Sequence, residues 1–136
     1  MMLLLSQLSA PGGGLPQVMK PEFKPVAPLT AGKKGTVEVS FTLMKGYAIN
    51  RTPPVSLKLK DEPGLKLDKL DFASSPNDPK SKDEYYVDLP KLRVPVTASK
   101  PGLYEITGKL VYFFCSKADG FCSRQVVDVT VPVRVQ

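Results

Sequence analysis

Val127, Val129, Val131, Val133 and Val135 occupy one parity of the chain while Asp128, Thr130 and Arg134 occupy the other, which leaves little freedom of fold. Side chains alternate across a strand with period two, so only an extended segment with one face on a core brings these valines together. The alternation recurs at Val37, Val39, Phe41 and Leu43, and again at Tyr104, Ile106, Leu110, Tyr112 and Phe114. No sustained helical period interrupts it. Fourteen prolines and ten glycines punctuate the runs. The pattern predicts about seven or eight strands in an all-β antiparallel sandwich.

Taken in order, Met1–Ala10 looks like the end of a secretory signal's apolar region, although it lacks a basic start and is too short to cross a bilayer. A clipped export signal and a tail or strand docking on a sheet edge are both open readings. Pro11 to Pro28 is rich in Pro and Gly and is expected to be extended and poorly packed until about Val26, which gives a flexible lead-in over 1–28 and one domain over 29–136. Gly35–Leu43 is the clearest strand, followed by a turn at Lys45-Gly46, a short strand over Tyr47–Asn50, and another marked by Val55, Leu57 and Leu59. Leu65, Leu67, Leu70 and Phe72 supply a weaker fourth. Pro95 should place the Leu92–Val96 strand at an edge or a bulge, because proline cannot donate to a ladder.

From Ala73 to Asp88 the composition turns to Ser, Pro, Asn, Asp and Lys. A connection this long in a compact domain is disordered or functional. The adjacent Tyr85 and Tyr86 argue for a loop that folds back onto something apolar.

The absence of histidine excludes Ser-His-Asp and Cys-His catalysis within the chain and removes the commonest metal ligand. The net charge of +6 is scattered, with Lys33-Lys34 its longest basic run, so a solvated surface is expected rather than a nucleic-acid stripe. Gly12-Gly13-Gly14 precedes no strand-to-helix unit and is not a phosphate loop. What remains is the pair Cys115 and Cys122, with six residues between them and Asp119-Gly120 at the turn position. The flanking strands place the two thiols face to face across the mouth of a hairpin. Parity groups Cys115 with Glu105, Thr107 and Lys109, and Cys122 with Arg124 and Asp128, so both sulfurs should sit away from the core.

A disulfide there has two readings. It is a local staple, worth about 2.5 kcal/mol for an eight-residue ring. Or it exchanges with a partner's thiolate, for which reach is a condition. Two thiolates holding Cu(I) are a further alternative, and no cofactor or metal is expected.

Three segments carry a resemblance to a known family. They are Lys45-Gly46-Tyr47, Asp83-Glu84-Tyr85-Tyr86, and Tyr112 through Cys115 to Asp119-Gly120-Phe121-Cys122. Over roughly Gly35 to Val135 the chain resembles the amino-terminal periplasmic domain of the thiol:disulfide interchange protein DsbD. The resemblance implies an immunoglobulin-like antiparallel β-sandwich that carries electrons from a membrane-embedded reductase module and thioredoxin-like proteins to periplasmic acceptors, including those of cytochrome c maturation. It implies that Cys122 forms the mixed disulfide, that Cys115 resolves it, and that Asp83, Glu84, Tyr85 and Tyr86 form a cap with Tyr85 as the shield. Tyr47 and Phe121 fall at the rim. A monomer outside the cytoplasm is implied, with no nucleic-acid partner and no membrane insertion by this chain. The pattern departs from the family by one extra residue between the cysteines, by Ser123-Arg124-Gln125 after the second, and by Ala48-Ile49-Asn50 where aromatic residues are usual. The competing reading is a non-redox immunoglobulin-like interaction module whose disulfide secures a hairpin.

Overall fold

A computed structural model describes residues 16–136. The expected signal remnant at Met1–Ala10 therefore lies outside the described residues. Nine strands follow in order: β1 (Met19–Pro25), β2 (Gly35–Leu43), β3 (Tyr47–Ile49), β4 (Ser56–Leu59), β5 (Leu65–Leu67), β6 (Asp71–Ala73), β7 (Leu92–Ala98), β8 (Gly102–Ser116) and β9 (Cys122–Val135). There is no helix among the described residues. One sheet has four strands in the order β1-β2-β7-β5, and the other has five, with β8 at its centre. β9 lies along one edge of β8, while β3 and then β4 share the other edge, and β6 extends the sheet beyond β4. Every pairing between named strands is antiparallel. The chain is an immunoglobulin-like antiparallel β-sandwich, as the resemblance implied.

The alternating valines do what their period requires. Val129, Val131, Val133 and Val135 of β9 are buried, as are Ile106, Leu110, Tyr112 and Phe114 of β8, and they meet Val37, Val39, Val94 and Val96 of the opposite sheet. The intervening residues of β9 face water. Burial of such side chains, each worth roughly 1.5–3 kcal/mol, is the main force holding the two layers together.

Two expectations need correction. Met19–Pro25 was expected within a poorly packed lead-in, yet it forms β1 and pairs with β2 from Met19↔Leu43 to Pro25↔Val37. Its anchor is polar as well as apolar. Val18 and Met19 are buried, the Tyr112 hydroxyl accepts the Met19 amide proton at 2.9 Å, and the Gln125 side-chain oxygen accepts that of Val18 at 2.9 Å. Pro21 and Pro25 are tolerated because β1 is an outer strand, where a missing donor faces no neighbour. Second, the segment from Leu65 to Phe72 is not one strand. β5 pairs with β7 in one sheet and β6 with β4 in the other, so Asp68-Lys69-Leu70 crosses between layers. The expectation for Pro95 holds: β5 reaches only Val96–Ala98, so the Leu92–Pro95 part of β7 pairs with β2 alone and is an edge on its other side.

Candidate functional site: a cross-strand disulfide beside a pinned loop

β8 and β9 form one long hairpin, paired from Gly102↔Val135 to Cys115↔Cys122, and the disulfide joins the last pair. The next pair outward is hydrogen-bonded, Ser116 N–H donating to the Phe121 carbonyl at 2.8 Å. Bonded and unbonded pairs alternate along an antiparallel ladder, so the cysteines occupy a narrow, unbonded site, with Cα atoms 3.9 Å apart. Spacing and register together bring the sulfurs into bonding contact. The turn is closed by Gly120 N–H donating to the Ser116 carbonyl at 2.9 Å, and Gly120 takes φ +73°, the left-handed conformation expected of this position.

Parity placed both cysteines correctly on the outer face, outside the core cluster. Equal reach does not follow from it. Cys122 is exposed, whereas Cys115 is only 5% exposed. The difference comes from position in the sheet. Cys122 belongs to the outer strand β9, while Cys115 lies in the central strand, flanked by Cys122 on one side and by Ala48 of β3 on the other. The Asn50 side-chain oxygen completes the cover at 3.6 Å from Cys115 Sγ.

The loop between β6 and β7 extends this sheet beyond β3. Tyr86 N–H donates to the Ile49 carbonyl at 3.0 Å, Arg51 N–H donates to the Glu84 carbonyl at 2.8 Å, and Asn50 and Tyr85 form an antiparallel bridge. Directly opposed residues share a face, so Tyr85, Asn50, Phe113 and Arg124 form one outer row across four segments, next to the row of Ala48, Cys115 and Cys122. The half-buried Tyr85 thus shares the disulfide's face, and Tyr86 turns inward. Asp83 and Glu84 are exposed. The neighbouring Glu84 carboxylate raises the pKa of the Tyr85 hydroxyl above the ordinary phenol value, helped by partial burial and by the charge of Asp83.

The loop is pinned at several points. The buried Tyr86 hydroxyl donates to the Ser75 carbonyl at 2.5 Å and lies 3.0 Å from Ser74 Oγ, which accepts the Val55 amide proton at 2.9 Å. Arg51 donates through Nε to the Asp83 carbonyl and through a terminal nitrogen to the Pro76 carbonyl, each at 3.0 Å. The Asp83 carboxylate accepts the Tyr85 amide proton at 2.9 Å, which makes Asp83 a turn former. Asp78, which sequence reasoning passed over, is the hub. Its buried carboxylate accepts amide protons from Val87 at 2.7 Å, Asp88 at 3.0 Å and Lys80 at 3.1 Å. No sequence signal marks it or Arg51, because their partners are main-chain groups selected by the fold.

These amides hold the Asp78 carboxyl below its ordinary pKa, Asp88 first and then Val87 and Lys80, with the Arg51 charge adding and desolvation opposing. A depressed native pKa means that the unfolded chain binds the proton more readily, so this contribution is complete above the unfolded carboxylate value and is lost as pH falls through the native one. The expected result is that Asp78→Asn lowers loop protection at neutral pH and that the gap between variant and native protein narrows on acidification. Hydrogen exchange at the Val87 and Asp88 amides measures it, and a gap constant with pH would contradict this account.

Tyr47 and Phe121, expected at the rim beside the cysteines, lie on the opposite face of the sheet. Tyr47 is opposite Ser116, and Phe121 shares the inward parity. Both rings stand edge-on to the fully buried Phe114, at 5.7 Å and 6.1 Å between centroids. They close the open end of the sandwich, and Phe121 remains 37% exposed. The structure thus brings Cys115, Cys122 and Tyr85 onto one face and separates Tyr47 and Phe121 from them.

No family model and no curated protein matches the chain. Among solved structures it is similar to the cohesin module of a family 33 glycoside hydrolase from Clostridium perfringens ATCC13124, at 10% identity and a TM-score of 0.49 over 89% of this chain and 100% of that one. It is also similar to the GAE domain of yeast GGA1, at 13% identity and a TM-score of 0.44 over 85% and 95%.

Proposed function

We propose that the chain is an extracytoplasmic thiol–disulfide exchange domain, similar in role to the amino-terminal domain of DsbD, which passes reducing equivalents through Cys115 and Cys122. The observation that supports it is the asymmetry of the disulfide on an outer sheet face: Cys122 is exposed and Cys115 is covered. An incoming thiolate reaches Cys122 Sγ, forms the new S–S bond there, and expels the electron pair onto Cys115 Sγ, which takes a proton from solvent. A second thiolate on the donor breaks the mixed disulfide and leaves Cys122 as a thiol. In the forward half-reaction Cys122 attacks the acceptor's disulfide and Cys115 resolves the mixed species. Donor and acceptor are thioredoxin-like proteins, the donor charged by a membrane-embedded reductase module. The Tyr85-bearing segment at the β3 edge restricts access to partners that displace it.

Cys115→Ser is expected to accumulate a Cys122 mixed disulfide with thioredoxin-like proteins from a periplasmic extract, and Cys122→Ser to trap none. Absence of any adduct, together with a reduction potential below about −300 mV, would leave the disulfide as a staple. That second reading, an immunoglobulin-like interaction module, is favoured by the direct cross-strand position of the bond, which ties the hairpin's last pair.

A further inference from the structure

Asn50 stands where chemistry at Cys115 would use it. Its Oδ1 lies 3.6 Å from Cys115 Sγ, within hydrogen-bonding range for an atom as large as sulfur. A disulfide sulfur carries no hydrogen to donate, so the amide orientation that makes a hydrogen bond here presents Nδ2 to the sulfur, the two ends of the amide being nearly isosteric. The backbone around Asn50 is fixed on both sides: its N–H donates to the Phe113 carbonyl at 2.9 Å, and it is bridged to Tyr85. The side chain therefore reaches the sulfur from a held position.

We infer that the Asn50 side-chain amide is a catalytic donor that stabilises the Cys115 thiolate, as leaving group when a partner attacks Cys122 and as nucleophile when the mixed disulfide is resolved. The inference rests on the exchange reading above and deepens it. As the Cys115–Cys122 bond breaks, the electron pair localises on Cys115 Sγ in a site that is 95% covered, where few waters can solvate it. Hydrogen bonds to charged groups are stronger than those to neutral ones, so an N–H at this distance favours the thiolate over the thiol and the expelled sulfur over the bonded one. A better leaving thiolate leaves faster. The bridge to Tyr85 also ties this donor to the pinned loop, so a partner that lifts the loop from β3 acts on the residue touching the sulfur.

The test reads two quantities in the intact protein and in Asn50→Ala and Asn50→Asp variants. The first is the rate at which dithiothreitol opens the disulfide of the folded protein, and the second is the Cys115 thiol pKa in the reduced Cys122→Ser background, followed by thiolate absorbance. Tyr85, Arg124, Lys117, Asp83 and Glu84 are the other titratable groups at this face and its margins, and they are common to all variants. Asn50→Ala is expected to slow opening about tenfold and to raise the thiol pKa by about one unit. Asn50→Asp, which keeps the shape but places a carboxylate on the sulfur, is expected to exceed both effects. A purely structural role would move stability but not the thiol pKa, so an unchanged pKa and rate in both variants overturns the inference while leaving exchange intact. A folded protein whose disulfide no reductant opens overturns the exchange reading, and the leaving-group role falls with it.

Discussion

Phe114→Ala is expected to lower folding stability by about 3–5 kcal/mol, the range for removing a fully buried aromatic ring from a core that cannot collapse around the gap. Phe114 has no solvent exposure, and it is the common neighbour of Tyr47, Tyr112 and Phe121, each ring meeting it edge-on at 5.7, 6.4 and 6.1 Å. Edge-to-face pairs add roughly 0.5–1.5 kcal/mol beyond area burial, so losing three partners at once places the effect toward the upper end. Collapse is opposed by the ladder. Phe114 is held opposite Ile49 on one side and Ser123 on the other, and the adjacent disulfide fixes the hairpin's end. The measurement is the urea midpoint of the oxidised protein, with the slope unchanged. A shift worth less than about 1 kcal/mol would show that Tyr47 and Phe121 swing in to fill the space, and that the end of the sandwich is softer than the packing indicates.

Gly108→Ala is expected to cost about 1–3 kcal/mol, although alanine ordinarily stabilises a chain by restricting its unfolded state by about 0.4–1 kcal/mol. The reason is contact between strands. A β-carbon at Gly108 would lie 2.3 Å from the Lys58 carbonyl oxygen and 2.8 Å from Leu59 Cδ2, where β4 and β8 meet at the Leu59↔Gly108 pair. The closer obstacle is backbone, so the two strands must part at a buried position. Gly35→Ala provides the control. Its β-carbon would also meet an atom at 2.3 Å, but that atom is Leu29 Cδ2, the end of a side chain that can turn away. Thermal unfolding of the two variants should therefore separate them, with Gly108→Ala the less stable. Equal melting temperatures would mean that the β4–β8 contact yields as easily as a leucine rotamer.

Both predictions concern residues whose role no reading of spacing could assign. Parity put Phe114 in the core, but only packing of the two layers made it the centre of an aromatic cluster, and Gly108 is an ordinary strand glycine until β4 lies beside it. β1 was missed for a related reason. A strand that carries Pro21 and Pro25 and keeps only part of an alternating pattern is recognisable by its partner, β2, and by the Tyr112 and Gln125 groups that receive the amides of Met19 and of Val18 just before it. The same holds for the long loop. Its two tyrosines signalled folding back, yet which of them enters the core was decided by the register of Tyr85 against Asn50.

The amino-acid sequence by itself determined the fold class, the faces of the main strands, the turn at Gly120 and the outward parity of both cysteines, because period-two burial and positive-φ turns are properties of neighbouring residues. Tertiary structure alone decided which sulfur is reachable, which residue touches the other, and on which face Tyr47 and Phe121 lie. Those outcomes depend on strands brought together from distant parts of the chain, β3 and the loop beyond it on one side of Cys115 and β9 on the other, and no local rule of spacing encodes their register.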